Sequence, residues 1–307
     1  MDLYLPIAEV SVNAPLLVAL GAAVGFISGL FGIGGGFLMT PVLVFMGIPP
    51  AIAVASEANH VAASSASSVI TYSRRRAVDF RMGSVLAGGG VVGAIIGVEA
   101  FRLLLLLGQA DLVVSVSYLL FLGVIGALML SESLGAIIRR HKGEPPRTVR
   151  DRRPMWLYAL PLKVRFPRSR LYISVIPPIT LGVFVGILSA IMGVGGGFIL
   201  VPAMVYLLRM PAGVVVGTSL FQIIITTSLA SFLQAGRNQT VDIVLATLLL
   251  IGGVLGAQLG ARASGRFRAE ELRALLALIV LLVGVWMGLG LFITPDDPFV
   301  IMAGSGE

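Results

Sequence analysis

Apolar residues run along this chain in long stretches separated by short polar segments. Six stretches have the length of one bilayer crossing, at 51–73, 82–107, 112–138, 211–235, 243–261 and 274–293, since a span takes about 17–25 mainly apolar residues. Two more, 14–48 and 173–208, are longer than one crossing and shorter than two. Each is interrupted near its middle by a cluster of glycines. The pattern predicts an all-α polytopic membrane protein.

The two interruptions are copies of each other. Residues 25–41 read GFISGLFGIGGGFLMTP and residues 186–202 read GILSAIMGVGGGFILVP, identical at 8 of 17 positions without a gap. The match continues at Pro50 with Pro211, at Val78-Asp79 with Val241-Asp242, and at Gly93 and Gly97 with Gly256 and Gly260. The chain therefore reads as a tandem duplication: a membrane repeat over 1–138, a basic linker over 139–172 and a second membrane repeat over 173–307.

Charge gives the repeats their orientation. The linker carries 11 of the 22 lysines and arginines, and Arg74, Arg75, Arg76 and Arg81 and then Arg262, Arg266, Arg268 and Arg273 mark two further basic loops. The positive-inside bias puts these loops in the cytoplasm. The ends carry Asp2 and Glu9, and Asp296, Asp297 and Glu307, so both termini are expected outside. Equivalent loops of the two halves then fall on opposite sides. The repeats are expected to be inverted, each with three full spans plus a glycine-broken re-entrant helix pair, the short helices covering 36–47 and 197–208. With Asp2 and Glu9 in place of a basic leader, no secretory signal is expected and the first apolar segment stays.

Composition removes whole classes of chemistry. With 57% hydrophobic and 12% charged residues, the chain is too apolar for a water-soluble fold, which carries about 25% charged residues. The absence of cysteine excludes disulfides and thiolate sites, and two histidines are too few for a histidine-rich metal centre. No cofactor, metal or nucleic-acid partner is expected, the net charge of +7 being read as topology. No catalytic set of acids or nucleophile with base occurs at workable spacing, so the chain is not expected to be an enzyme. Trp156, Tyr158, Phe166 and Tyr172 interleave with Lys163, Arg165, Arg168 and Arg170, a composition suited to lipid headgroups.

The glycine clusters carry the strongest chemical signal. Non-helical backbone within a membrane persists only when buried in protein or lining a cavity, and helices starting at the breaks aim their positive ends there. The candidate anion site therefore comprises Gly32, Gly34, Gly35 and Gly36 with Gly193, Gly195, Gly196 and Gly197. Ser28 and Ser189 stand beside them, and Thr218, Ser219 and Gln222 follow the second break. The competing reading is that the glycines only permit close helix packing.

Ser56, His60, Ser64, Ser67 and Thr71 recur at helical spacing as a polar stripe, read as a pathway lining. Glu57 and His60 stand one turn apart within the membrane. Such a pair either carries a co-transported proton or meets the anion, or else stabilises a helix end. Asn59 beside them is a candidate hydrogen-bond donor, Glu99 and Arg102 read as a surface salt bridge, and Arg237 and Asp242 as a loop pair.

The duplicated G-x-G-G-G followed by an apolar residue and a proline, together with Gly217-Thr218-Ser219-Leu220, resembles the sulfite exporter TauE/SafE family, also called the toluene-sulfonate uptake permease family. That resemblance covers nearly the whole chain apart from the linker. It implies a plasma-membrane transporter of small sulfur-containing or organic anions. The first half departs from the pattern, with Ser56, Glu57 and Ala58 opposite Gly217, Thr218 and Ser219. The expected function is secondary transport of sulfite, a sulfonate or a related anion, the alternative being an anion channel at the same site. No nucleotide-binding motif is present, so coupling falls to protons or ions. Partners are the anion, the bilayer and, in an open alternative, a second copy in a homo-oligomer.

Overall fold

The computed structural model describes residues 2–141, 161–264 and 269–292. Linker residues 142–160, with Trp156 and Tyr158, lie outside it, as do Arg266 and Arg268 and the acidic residues beyond 292. Among the described residues ten α-helices follow one another: α1 Ala14–Phe31, α2 Gly36–Phe45, α3 Pro50–Arg74, α4 Phe80–Leu106, α5 Ala110–His141, α6 Ile176–Met192, α7 Gly197–Tyr206, α8 Ala212–Leu233, α9 Ile243–Ala263 and α10 Ala269–Phe292. A short π-helical turn, Gln234–Asn238, continues α8. Among the described residues five helices are long and apolar enough to cross a membrane.

Starts and stops follow local chemistry. Asn13 caps α1, its side chain accepting from the Leu16 amide at 3.3 Å, and Asp79 and Asp242 cap α4 and α9 in the same way. Each cap satisfies an amide that lacks a partner inside its helix. α3 is 25 residues long, enough to span, but its serines, Glu57 and His60 keep it outside the apolar class.

Helix contacts cross between the halves. α1 packs on α9, α4 on α6, α5 on α10 and α3 on α8, while α9 also packs on α3 and α4 on α8. Exchanging α1–α5 for α6–α10 maps this set onto itself. Directions follow from the contacts. Gly21, Gly25 and Gly29 meet Leu249, Gly253 and Ala257 in rising order, so α1 and α9 run parallel. Gly89, Gly93 and Gly97 meet Ile179, Val183 and Ile187, so α4 and α6 do too. A Cβ at most of these glycines would overlap neighbouring backbone, so small residues set the helix separation. Tyr72 donates to the Gly29 carbonyl and His60 Nε2 lies 3.3 Å from the Gly21 carbonyl, making α3 parallel to α1. The five residues 75–79 then turn the chain from α3 into α4.

A two-stranded hairpin precedes each half. β1 Asp2–Leu5 pairs with β2 Val10–Asn13, and β3 Lys163–Phe166 pairs with β4 Leu171–Ser174. Pro6 and Pro167 open the two turns, and Glu9 and Arg170 close them at φ 54° and 51°. The second hairpin lies largely in the stretch that reads as a linker by composition.

Candidate functional site

Three left-handed glycines shape each break. Gly32, Gly34 and Gly35 have φ of 71°, 85° and 77°, and Gly193, Gly195 and Gly196 have 72°, 73° and 72°. A residue with a Cβ pays roughly 1–2 kcal/mol for each such conformation. Three of them within four residues turn the chain so that α2 begins at Gly36 and α7 at Gly197. These helices end at Phe45 and Tyr206, two residues short of the expected limits.

The two breaks touch. A Cβ on Gly36 would lie 2.6 Å from the Val194 Cα, and one on Gly197 would overlap the Ile33 backbone. Phe37 and Phe198, the next residues on each short helix, place their ring centroids 6.4 Å apart. Val61 of α3 and Ile223 of α8 stand against both Gly34 and Gly195. All eight candidate glycines are buried. The packing is closed: backbone fills the contact between the breaks, and two aliphatic side chains close it off.

Each half also holds the other's break through a hydroxyl. Ser219 of α8 donates to the Gly32 carbonyl at 2.9 Å, with the Val216 carbonyl within 2.8 Å. Tyr118 of α5 lies 2.7 Å from the Met192 carbonyl and 3.3 Å from the Gly36 carbonyl, touching both breaks at once. Tyr118 was not singled out by sequence, where it reads as one more aromatic in an apolar helix.

Glu57 faces the start of α2. Its Oε2 accepts from the Thr40 hydroxyl, while Oε1 has no partner and would lie 3.0 Å from a Cβ on Gly36. Thr40 also escaped notice, although it is the lone polar side chain of α2. His60 fills the space beside Gly253, and Gln222 with Thr226 fills the equivalent space beside Gly90. Gln222 donates to Thr226 at 2.7 Å.

Several buried polar atoms in this region lack partners: Ser28 Oγ, Ser189 Oγ, Glu57 Oε1, His60 Nδ1 and Gln222 Oε1. Ser28 and Ser189 are equivalent residues one turn before the breaks, and the Ser28 Cβ lies 2.9 Å from the Cβ position of Gly35. Among the described residues no group of three or more His, Cys, Asp or Glu could hold a metal ion.

Other expected site residues have structural partners. Thr218 donates to the Val214 carbonyl and accepts from the Asp79 amide at 3.0 Å, and Ser56 accepts from the Asp242 amide at 2.9 Å. These contacts pair Ser56 with Thr218 and Glu57 with Ser219, one residue away from the register read from sequence. Asn59 is part-buried and joins none of these contacts. The polar stripe is a seam rather than an open wall as packed here: Ser67 donates to the Val254 carbonyl of α9, as Ser68 next to the stripe does to the Ala257 carbonyl, and Ser64 bonds back to its own helix.

Of two surface expectations, the Glu99–Arg102 salt bridge is present and the Arg237–Asp242 pair is replaced. Glu99 pairs with Arg237 and lies 3.9 Å from Arg102. Asp242 is not that arginine's loop partner. It caps α9 and accepts from the Ile7 amide at 3.0 Å.

The chain is similar to proteins of one known family. Residues 17–287 match the profile described as Sulfite exporter TauE/SafE. The chain is 27% identical to the "Probable membrane transporter protein YjnA" of Bacillus subtilis, over 88% of this chain and 97% of that one. It is 30% identical to a "Probable membrane transporter protein" of Xylella fastidiosa, over 89% of this chain and 94% of that one. A shorter match, 29% identical over 40% of this chain and 26% of the relative, is to "Sulfite exporter TauE/SafE family protein 3" of Arabidopsis thaliana. No solved structure shows significant similarity.

Proposed function

The chain belongs to the sulfite exporter TauE/SafE family of multi-pass membrane transporters, and from that premise we propose that it is a secondary transporter of small anions which bind between its two glycine breaks. The substrate class is an oxyanion such as sulfite, a sulfonate or a related organic anion. The observation that carries this reading is the meeting of Gly36 with Val194 and of Gly197 with Ile33. Two helix N-termini, each with a partial positive charge, are brought to one buried place by opposite halves of the chain. Ser28 and Ser189 supply hydroxyls there whose oxygens have no partner in the closed packing, and a serine hydroxyl donates well to an anionic oxygen.

Exchange symmetry supports an inverted duplication. Helices α1, α3 and α9 run one way and α4, α6 and α8 the other, so each repeat's elements reverse in the second copy. The second repeat then begins at the β3–β4 hairpin, and the linker shortens accordingly. The basic ends would face the cytoplasm of a cell whose plasma membrane holds the protein, with both termini outside. Closed packing at the breaks fits a state between openings, in which the halves must shift to admit the anion.

Counterflow of labelled sulfite in vesicles containing the purified chain tests this reading. Saturable exchange that falls about tenfold or more in apparent affinity in the double variant Ser28→Ala, Ser189→Ala supports the site. A channel at the same site would instead give single-channel currents and no counterflow. Saturable exchange unchanged in the double variant removes the serines from the site.

A further inference from the structure

A second site lies on the basic side, away from the breaks. The first turns of α4 and strand β3 enclose an open groove of about 350 Å³ lined by Phe80, Arg81, Ser84, Val85, Val164 and Phe166. It bridges the halves, since α4 belongs to the first and β3 precedes the second. Behind it Asp79 Oδ2 accepts from the Ser169 amide at 2.9 Å and its hydroxyl at 2.6 Å. Arg168 closes one end, donating to the Val78 carbonyl at 2.5 Å with its guanidinium 5.6 Å from the centre of the Phe80 ring.

The molecule carries its own control for what this groove recognises. The same joint recurs on the opposite side, where the Asp242 cap accepts from Ile7 between β1 and β2. Matched by position, Tyr4 replaces Arg165, Ile7 replaces Arg168, Glu9 replaces Arg170 and Val244 replaces Arg81. The architecture is shared, but the cations occur on one side only. Neighbouring Asp79 is buried and accepts hydrogen bonds from neutral donors at both carboxylate oxygens, so the exposed cations Arg81 and Arg168 keep their charge for a ligand. Because α4 runs from here into the membrane, the groove sits where helix meets headgroups.

We propose that this groove binds one anionic phospholipid, its phosphate held by Arg81 and Ser84 with Arg168 at one end and its acyl chain lying on Phe80, Val85, Val164 and Phe166. The lipid braces α4 against the β3–β4 hairpin and thereby stabilises the joint between the halves. The proposal is independent of the transported substrate.

Thermal unfolding of the full chain in neutral detergent, titrated with short-chain phosphatidylglycerol, phosphatidylcholine and glycerol phosphate, tests it. Phosphatidylglycerol should raise the midpoint and the other two should not. Arg81→Gln and Arg168→Gln should each lower apparent affinity for phosphatidylglycerol roughly fivefold, and Arg209→Gln, an exposed charge-matched control, should leave it unchanged. Equal stabilisation by phosphatidylcholine overturns the charge requirement, and equal stabilisation by glycerol phosphate overturns the lipid in favour of a free anion. Undiminished affinity in both groove variants overturns the site.

Discussion

The backbone amide of Asp242 donates to the hydroxyl of Ser56 at 2.9 Å, across 186 residues of sequence. Its counterpart joins Asp79 to Thr218 at 3.0 Å. In each case the aspartate also caps its own helix and accepts from a hairpin of the other half, through Ile7 or Ser169. One residue thus fastens three elements, through its amide and its carboxylate, and the arrangement occurs twice.

Removing either carboxylate should therefore cost more than a simple cap. A lost N-cap costs about 1 kcal/mol, and the stranded hairpin amide adds roughly 1–3 kcal/mol where it stays buried. Asp79→Ala and Asp242→Ala are each expected to lower the thermal midpoint clearly in detergent, while Asp111→Ala, whose carboxylate accepts a single part-buried bond from the Ala51 amide at 3.1 Å, should lower it less. Similar midpoints for all three variants would show that the cross-half bonds are energetically idle.

Neighbouring glycines of α4 should behave oppositely. Gly88 has open space where a Cβ would stand, whereas a Cβ on Gly89 would run into the Ile179 carbonyl. Gly88→Ala is expected to be neutral or to stabilise by about 0.5–1 kcal/mol through lower chain entropy. Gly89→Ala must push α6 away and should lose several degrees of thermal stability. Melting curves of the two single variants decide the point.

Tyr118 gives a third test because its hydroxyl serves both breaks. Tyr118→Phe keeps the ring volume and removes the donor to Met192 and Gly36. A loss of about 1–3 kcal/mol is expected from the stranded carbonyls, measured as a lower midpoint, and the transport rate should change because the breaks lose a shared tether. A variant with unaltered stability and transport would make Tyr118 a packing residue only.

These expectations differ in how far sequence could supply them. The breaks were legible because three consecutive glycines, two of them in left-handed conformations, recur at Gly34 to Gly36 and Gly195 to Gly197 within otherwise matching segments. The crossing of the halves was not, because nothing in one helix states its partner. The match of Gly93 and Gly97 with Gly256 and Gly260 marked the duplication without saying that α4 meets α6 and α1 meets α9. The β3–β4 hairpin was hidden by its arginines, which read as linker, and its kinship with residues 2–13 rests on backbone shape, Pro6 with Pro167, more than on side chains. Stripe serines are ambiguous for a related reason: a hydroxyl on an apolar helix signals only that a partner exists, and for Ser67 it is the α9 backbone.

The sharpest remaining asymmetry lies at Glu57 and His60, whose counterparts Ser219 and Gln222 cannot ionise. Glu57 meets the start of α2 and His60 meets α9, so the first half alone brings titratable groups to the candidate site. If protons are coupled to anion movement, Glu57→Gln should retain the Thr40 hydrogen bond through its amide oxygen and keep counterflow of sulfite, because exchange needs no net proton transfer. It should abolish accumulation of sulfite driven by an imposed pH gradient. His60→Gln, which copies the second half, should flatten the dependence of transport on that gradient. Gradient-driven accumulation that persists in both variants removes proton coupling from this pair and leaves them as structural residues, since each would then be replaceable by the neutral side chain its counterpart resembles.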